Sequence, residues 1–132
     1  MQRGARRFPG RPEQVRAARR FVAAPLAAWP ATQEAALLLV SEVVTNAILH
    51  SASGDEGGGV EVRYALDDQE VYVEVVDAGG GAGHPRRHGG YLEGVSGRGL
   101  ALVAALASGW GVHDQQAGRV VWFRLPLSTR RQ

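Results

Sequence analysis

Three polar side chains recur at every fourth position of one apolar stretch of the sequence. They are Glu42, Asn46 and His50, within the run Glu42-Val-Val-Thr-Asn-Ala-Ile-Leu-His50. On an α-helix this spacing places them along one narrow stripe. A carboxylate can serve as a general base, and an amide oxygen is a suitable ligand for Mg²⁺. The stripe therefore predicts a helix face that handles a metal ion and water near a phosphate.

Each member of the stripe also has a plainer interpretation. Glu42 could be a half-exposed carboxylate on the helix flank. Asn has only middling helix propensity, so Asn46 in mid-helix calls for an explanation. His50 could be a helix-terminal imidazole that interacts with the helix dipole, or it could donate a hydrogen bond to a phosphate. The pairing of Glu42 with Asn46 is what favours the functional interpretation.

A second candidate site begins where a predicted strand ends at Asp77. The run Asp77-Ala-Gly-Gly-Gly81 follows, and a carboxylate there can accept a hydrogen bond from the exocyclic amine of adenine. Gly79 and Gly81, which lack Cβ atoms, would let the backbone approach the base closely. The alternative is an ordinary turn aspartate before a loop. Residues 78–99 hold nine of the 18 glycines, and a long loop of this kind is usually functional or disordered.

A third candidate site is Gly97-Arg98-Gly99, which precedes the next apolar helical run. Backbone N–H groups at the start of a helix can bind an anion, and glycine permits close approach. Arg98 adds a permanent positive charge. A glycine before a helix is common, so this short motif is weak evidence by itself.

The spacing of apolar residues predicts the elements that would hold these sites. Helical spacing over 13–29, broken by Pro25, is followed by a helix over 33–50 with Thr32 as its N-cap. Two-residue alternation predicts strands over 60–66, 70–77, 110–115 and 119–127, and a helix covers 100–107. This order predicts an α+β fold, a two-layer sandwich of a mostly antiparallel sheet with helices on one face.

Composition narrows the classes of function. The chain of 132 residues contains no cysteine, and all fifteen of its basic residues are arginine. Without lysine, neither a Walker A loop nor a eukaryotic-type protein kinase site can be formed. The first apolar stretch is too short to span a bilayer, and no secretory pattern precedes it. A cytoplasmic protein without a membrane segment is expected.

The positive charge is concentrated at the N-terminus, where residues 1–20 hold seven arginines and a single acid, Glu13. Residues 1–12 are expected to form a flexible arm, and residues 13–132 a single domain. Such an arm could attract nucleic acid. No aromatic side chains interleave with the arginines as a base-stacking platform requires, so a solvated face or a protein-binding patch is favoured over nucleic acid.

The three candidate sites are the helix segment with Glu42 and Asn46, the segment that begins at Asp77 and the segment that begins at Gly97. Together they resemble the conserved sequence boxes of the gyrase/histidine-kinase/MutL ATPase superfamily, whose nucleotide site is the Bergerat fold. The resemblance runs from about residue 8 to residue 127. Within that superfamily the chain is most similar to the small anti-sigma-factor serine kinases. The phrases that carry this similarity are Ser41-Glu-Val-Val-Thr-Asn-Ala47, Gly97-Arg-Gly-Leu-Ala-Leu-Val103 and Gly118-Arg-Val-Val-Trp-Phe123.

The resemblance implies a role for each site residue. Glu42 would be the base that accepts a proton from a serine hydroxyl, Asn46 would hold Mg²⁺ at the phosphates of ATP, and Asp77 would read adenine. Residues 82–96 would form a lid over the nucleotide. The remaining residues implied to contact ATP are His50, Gly79, Gly81, Gly97, Arg98, Gly99 and Leu100.

It also implies partners. The acceptor serine would lie on an anti-anti-sigma protein of the STAS type, and a sigma factor or another transcription regulator would be sequestered. The alternative is a non-catalytic ATP-binding module that controls a transcription regulator by switched binding. Relatives of this kind are usually homodimers, and Phe21, Trp29 and Trp110 are apolar residues that could belong either to such an interface or to the core.

Overall fold

The computed structural model describes residues 1–78, 97–115 and 118–128, and of residues 50, 52 and 97–100 it describes the backbone alone. Five strands form one antiparallel sheet in the order β1-β2-β3-β5-β4. The strands are β1 (Gln2–Pro9), β2 (Gly59–Leu66), β3 (Glu70–Asp77), β4 (Gly109–Gln115) and β5 (Gly118–Pro126). The helices are α1 (Val15–Ala23), α2 (Pro30–His50) and α3 (Gly97–Leu106). The predicted α+β fold, with helices on one face of an antiparallel sheet, is confirmed.

Helix α2 is the central element of the helical layer and contacts three strands as well as both other helices. Its buried apolar side chains pack on the inner face of the sheet, where Val62, Val73 and Phe123 are each fully buried. Among the helices described, none combines the length and apolar character needed to cross a bilayer. The core thus lies between the helical layer, centred on α2, and the inner face of the sheet.

The start of α2 differs from the prediction. Thr32 is not the N-cap, because the helix begins at Pro30, whose missing N–H and fixed φ suit the first helical turn. The Thr32 hydroxyl instead donates a hydrogen bond to the Pro126 carbonyl at 2.9 Å and accepts one from the Ser128 N–H at 2.7 Å. These bonds fasten the start of α2 to the end of β5.

The N-terminal segment also differs from the prediction, because residues 2–9 form strand β1 rather than a flexible arm. The strand pairs with β2 along its full length, from Gln2 opposite Leu66 to Pro9 opposite Gly59. Phe8 is 1% exposed, and its ring lies 5.9 Å from that of Phe21. One large apolar residue among arginines gives little alternation to detect, whereas pairing with β2 satisfies the backbone polar groups on the side of this edge strand that faces β2.

The three large apolar residues considered for an interface have different surroundings. Phe21 packs between Phe8 and Tyr64, with a centroid distance of 5.2 Å to the tyrosine ring. Trp29 is half-buried against the core. Trp110, on the edge strand β4, is 37% exposed. Phe21 and Trp29 are therefore part of or adjacent to the core, and Trp110 is accessible.

The sheet face opposite the helices carries a cluster of aromatic and charged side chains. The Arg124 guanidinium lies 5.5 Å from the centroid of Tyr72 and 5.4 Å from that of Trp122. The indole covers Gly111, where an added Cβ would come within 2.7 Å of its Nε1. Partial burial and a hydrogen bond to Glu74 raise the pKa of Tyr72 to about 12. Arg124 therefore belongs to the outer face, away from the helices.

If β1 is part of the fold, truncating its one buried side chain must destabilise the protein. We expect Phe8→Ala to lower the free energy of unfolding by about 3–5 kcal/mol, the usual cost of removing a buried phenyl ring. Urea denaturation measures this, and Arg3→Ala, an exposed change on the same strand, should cost less than about 0.5 kcal/mol. If both substitutions change the free energy of unfolding by the same small amount, residues 2–9 contribute no packed strand to the fold.

Candidate functional site

The candidate site comprises residues of the C-terminal half of α2, the end of β3 and the start of α3. Helix α2 contacts both β3 and α3. It carries Glu42 and Asn46, β3 ends at Asp77, and α3 begins at Gly97, three residues before the helix predicted over 100–107. Hydrogen bonds through Ser51 and Ser53 join the end of α2 that carries Asn46 to the end of β3, and α3 packs against α2.

Asn46 is the most informative side chain of this group. It is 5% exposed, and its Nδ2 atom has no hydrogen-bond partner within the described part of the chain. Leaving a buried polar group unsatisfied costs about 1–3 kcal/mol, so such a group is usually kept for a reason. Glu42, one turn earlier on α2, is half-buried. The amide thus supplies a buried polar end that a ligand can satisfy.

Asp77 is enclosed at the end of its strand. The residue is 2% exposed, although it lies next to the long glycine-rich segment. Gly118 in β5 has φ +147°, and a Cβ there would lie 1.8 Å from the Asp77 carbonyl oxygen. Only glycine can therefore occupy that position, and the close approach fixes the backbone from which the Asp77 side chain projects.

Two buried serines tie the helix of Asn46 to the strand of Asp77. The Ser51 hydroxyl donates to the Ala47 carbonyl at 2.6 Å and accepts the Ser53 N–H at 3.0 Å. The Ser53 hydroxyl oxygen then accepts the Ala78 N–H at 2.8 Å. This relay runs from Ala47 to Ala78, the residues adjacent to Asn46 and Asp77. It therefore sets the spacing between the predicted Mg²⁺ subsite and the predicted adenine subsite.

The sequence motifs described above do not include these two serines. Ser51 and Ser53 are 2% and 0% exposed, and a Cβ on Gly10 would lie 1.6 Å from the Ser53 carbonyl oxygen. Serines two positions apart just after a helix commonly form local side-chain-to-backbone hydrogen bonds, which was the available signal. The bond to Ala78 spans 25 residues and has no local signature.

A charged pair beside Asp77 was also missed. Arg119 of β5 lies directly opposite Asp77 of β3 and directly opposite Asp114 of β4. Its Nε donates a hydrogen bond to the Asp114 carboxylate at 2.9 Å. Alternation along β5 puts Arg119 on the same face as Val121, but its two acidic neighbours become apparent only when β3, β4 and β5 are paired.

Several residues that were predicted to contact the nucleotide are not described by the structure, or are described only in their backbone. Gly79, Gly81 and the predicted lid over 82–96 lie outside the described residues. For His50, Arg98 and Leu100 the backbone lies in helices α2 and α3, and their side chains are not described. Gly99 lies in the first turn of α3. Their predicted contacts with the nucleotide stay predictions.

We expect Ser53→Ala to weaken the link between α2 and β3. The Ala78 N–H would lose its acceptor, at a cost of about 1–3 kcal/mol in the free energy of unfolding. Denaturation by urea measures that loss. Ser41→Ala is the matched control, because the Ser41 hydroxyl bonds only to the Leu37 carbonyl of its own helix. A Ser53 variant no less stable than the Ser41 variant would mean that the relay contributes nothing.

Comparison with known proteins agrees with this arrangement. No curated protein matches the chain. The family model described as a histidine kinase-like ATPase domain matches residues 8–125, which include α2, the end of β3 and the start of α3. The match begins at Phe8, the buried residue of the strand that the sequence had suggested was an arm. The chain therefore belongs to the histidine kinase-like ATPase domain family, and its fold is that of an ATP-binding domain.

Proposed function

We propose that this protein is an ATP-dependent protein-serine kinase of the anti-sigma-factor type. The observation that carries the proposal is the buried Asn46 amide, whose Nδ2 has no partner among the described residues, with the half-buried Glu42 one turn away on the same face of α2. Membership of an ATP-binding family supplies the phosphoryl donor. A carboxylate so placed supplies a base for the acceptor.

The residues present fit ATP with Mg²⁺. The amide oxygen of Asn46 is a hard ligand of the kind that Mg²⁺ takes, and its Nδ2, which has no partner among the described residues, would donate to a phosphate oxygen. Mg²⁺, when bound, neutralises charge on the phosphates. Asp77 would accept a hydrogen bond from the exocyclic amine of adenine. Gly97, at the start of α3, would offer backbone N–H groups to phosphate, with Arg98 adding a positive charge.

Glu42 is the proposed general base. A serine hydroxyl would give its proton to the Glu42 carboxylate while its oxygen bonds to the γ-phosphorus of ATP. The bond from that phosphorus to the bridging oxygen breaks, and ADP leaves with the electron pair. Positioning of the two reactants and neutralisation of charge account for most catalysis in phosphoryl transfer. The base adds about 10²–10⁴-fold.

The proposed acceptor is a serine on an anti-anti-sigma protein of the STAS type, and the proposed regulatory target is a sigma factor or another transcription regulator. A homodimer is the proposed assembly, as in relatives of this type. Trp110 is the exposed aromatic residue that such contacts could use. The second candidate function is that of a non-catalytic ATP-binding module. It uses the same nucleotide site and differs only in lacking phosphoryl transfer to a serine.

Calorimetry tests the metal and nucleotide subsite. We expect Mg²⁺-dependent binding of ATP to the wild type and at least about tenfold weaker binding to Asn46→Ala, equivalent to about 1.4 kcal/mol. Omitting Mg²⁺ should weaken ATP binding by the wild type strongly and ATP binding by the variant little, because the variant has already lost the metal ligand. Thr45→Val, a half-buried neighbour on the same helix, is the control. If Asn46→Ala binds ATP as tightly as the wild type does, Asn46 is not part of the nucleotide site.

Phosphoryl transfer is tested with labelled ATP and an anti-anti-sigma-like protein encoded near this one. Glu42→Gln should bind ATP within about threefold of the wild type and transfer about 10²–10⁴-fold more slowly, the usual contribution of a general base. Glu34→Gln, an exposed change on the same helix, should transfer normally. Undiminished transfer by Glu42→Gln contradicts the assigned role. ATP-dependent complex formation without any serine labelling by the wild type favours the non-catalytic module.

A further inference from the structure

Three charged residues form a row across three adjacent strands. Asp77 of β3, Arg119 of β5 and Asp114 of β4 lie directly opposite one another in the antiparallel pairing. Residues opposite each other in such pairs project from the same sheet face, with Cβ atoms about 4.5–5.5 Å apart. The row therefore alternates negative, positive, negative on the helix-facing side, at the end of the sheet that holds the candidate site.

Burial changes steeply along this row. Asp77 is 2% and Arg119 is 9% exposed, whereas the Asp114 side chain is 52% exposed. A buried carboxylate remains ionised only where an opposite charge or hydrogen bonds compensate for lost hydration. Arginine keeps its charge at any ordinary pH. Arg119 is therefore a permanent positive neighbour for the buried carboxylate.

Asp114 controls where that positive charge points. Its carboxylate accepts the hydrogen bond from Arg119 Nε at 2.9 Å. The guanidinium is thereby drawn toward the exposed edge strand β4. Arg119 can then act on Asp77 through charge while its Nε is engaged elsewhere.

We propose that Arg119 is a specificity-determining residue of the nucleotide site, which keeps the Asp77 carboxylate ionised and so selects adenine over guanine. This inference rests on the proposed function, in which Asp77 faces the base. An ionised carboxylate only accepts hydrogen bonds, which suits the amine at position 6 of adenine. The carbonyl oxygen at that position of guanine is also an acceptor, and two acceptors repel. A protonated carboxyl could donate to that oxygen, and discrimination would be lost.

The test is the ratio of GTP to ATP dissociation constants, measured by calorimetry with Mg²⁺ on the full chain. For Arg119→Gln we expect this ratio to fall by about tenfold or more, from weaker ATP binding, tighter GTP binding or both. Arg119→Lys, which retains the charge, should keep the ratio within about threefold of the wild type. The matched control is Arg124→Gln, on the same strand but on the outer face, and it should leave the ratio unchanged.

Asp114→Asn is a second variant that does not depend on tolerance of change at a buried position, because the Asp114 side chain is half-exposed. Without this carboxylate, the hydrogen bond that fixes the Arg119 guanidinium is lost, so the positive charge is held less firmly beside Asp77. We expect weaker ATP binding and a smaller ratio.

The inference is overturned if Arg119→Gln keeps the wild-type ratio of GTP to ATP dissociation constants. It is also overturned if Arg119→Lys lowers this ratio as much as Arg119→Gln does, because the shape of the arginine side chain, and not its charge, would then set the selectivity. If Arg119→Gln does not fold, an unchanged ratio in Asp114→Asn overturns it. These failures leave ATP binding by the wild type intact. Absence of ATP binding by the wild type, in contrast, removes the proposed function itself.

Discussion

The whole arrangement depends on holding a largely buried helix, α2, at a fixed position on the sheet while it carries polar side chains into the interior. Apolar packing alone does not fix the sliding or rotation of a helix on a sheet, because dispersion and hydrophobic contacts are non-directional. Hydrogen bonds are directional. Helix α2 has them at both ends: Thr32 bonds to Pro126 and Ser128, and the Ala47-to-Ala78 relay lies at the other end.

These two anchors have a common chemistry. Each uses small hydroxyl side chains that donate to one backbone carbonyl and accept from one backbone N–H. Both also join segments distant in the chain. The polar stripe of α2 is thereby held against the end of β3 without any flexible charged side chain in the linkage. Beside Asp77, burial of a carboxylate calls for a counter-charge, and Arg119 lies directly opposite it.

The elements with a clear local pattern were predictable from the sequence. Strand β3 was predicted over its observed bounds, because Val71, Val73 and Val75 recur at every second position between Glu70 and Asp77. The end of α2 was also predicted, and the helix predicted over 100–107 overlaps the observed α3. Strand β1 was missed, since its single buried residue, Phe8, gives no periodicity. Its order comes from pairing with a strand some fifty residues away.

The candidate site divides in the same way. Glu42 and Asn46 could be found because helical spacing alone relates them. Ser53, Arg119 and Asp114 could not, because their roles come from contacts across β3, β4 and β5 and from the approach of Gly118 to Asp77. A one-dimensional pattern records which face a side chain occupies. It does not record which side chain stands opposite.

The strand order has a consequence for synthesis of the chain on the ribosome. Strand β5 follows all other strands and helices in the chain but inserts between β3 and β4 in the sheet. It brings Gly118 and Arg119 to Asp77, and its end supplies the carbonyl bonded by Thr32. Until β5 emerges, β3 has an open edge and the start of α2 lacks its anchor. A nascent chain lacking this strand has no complete nucleotide site, so ligand binding can stabilise only the finished domain.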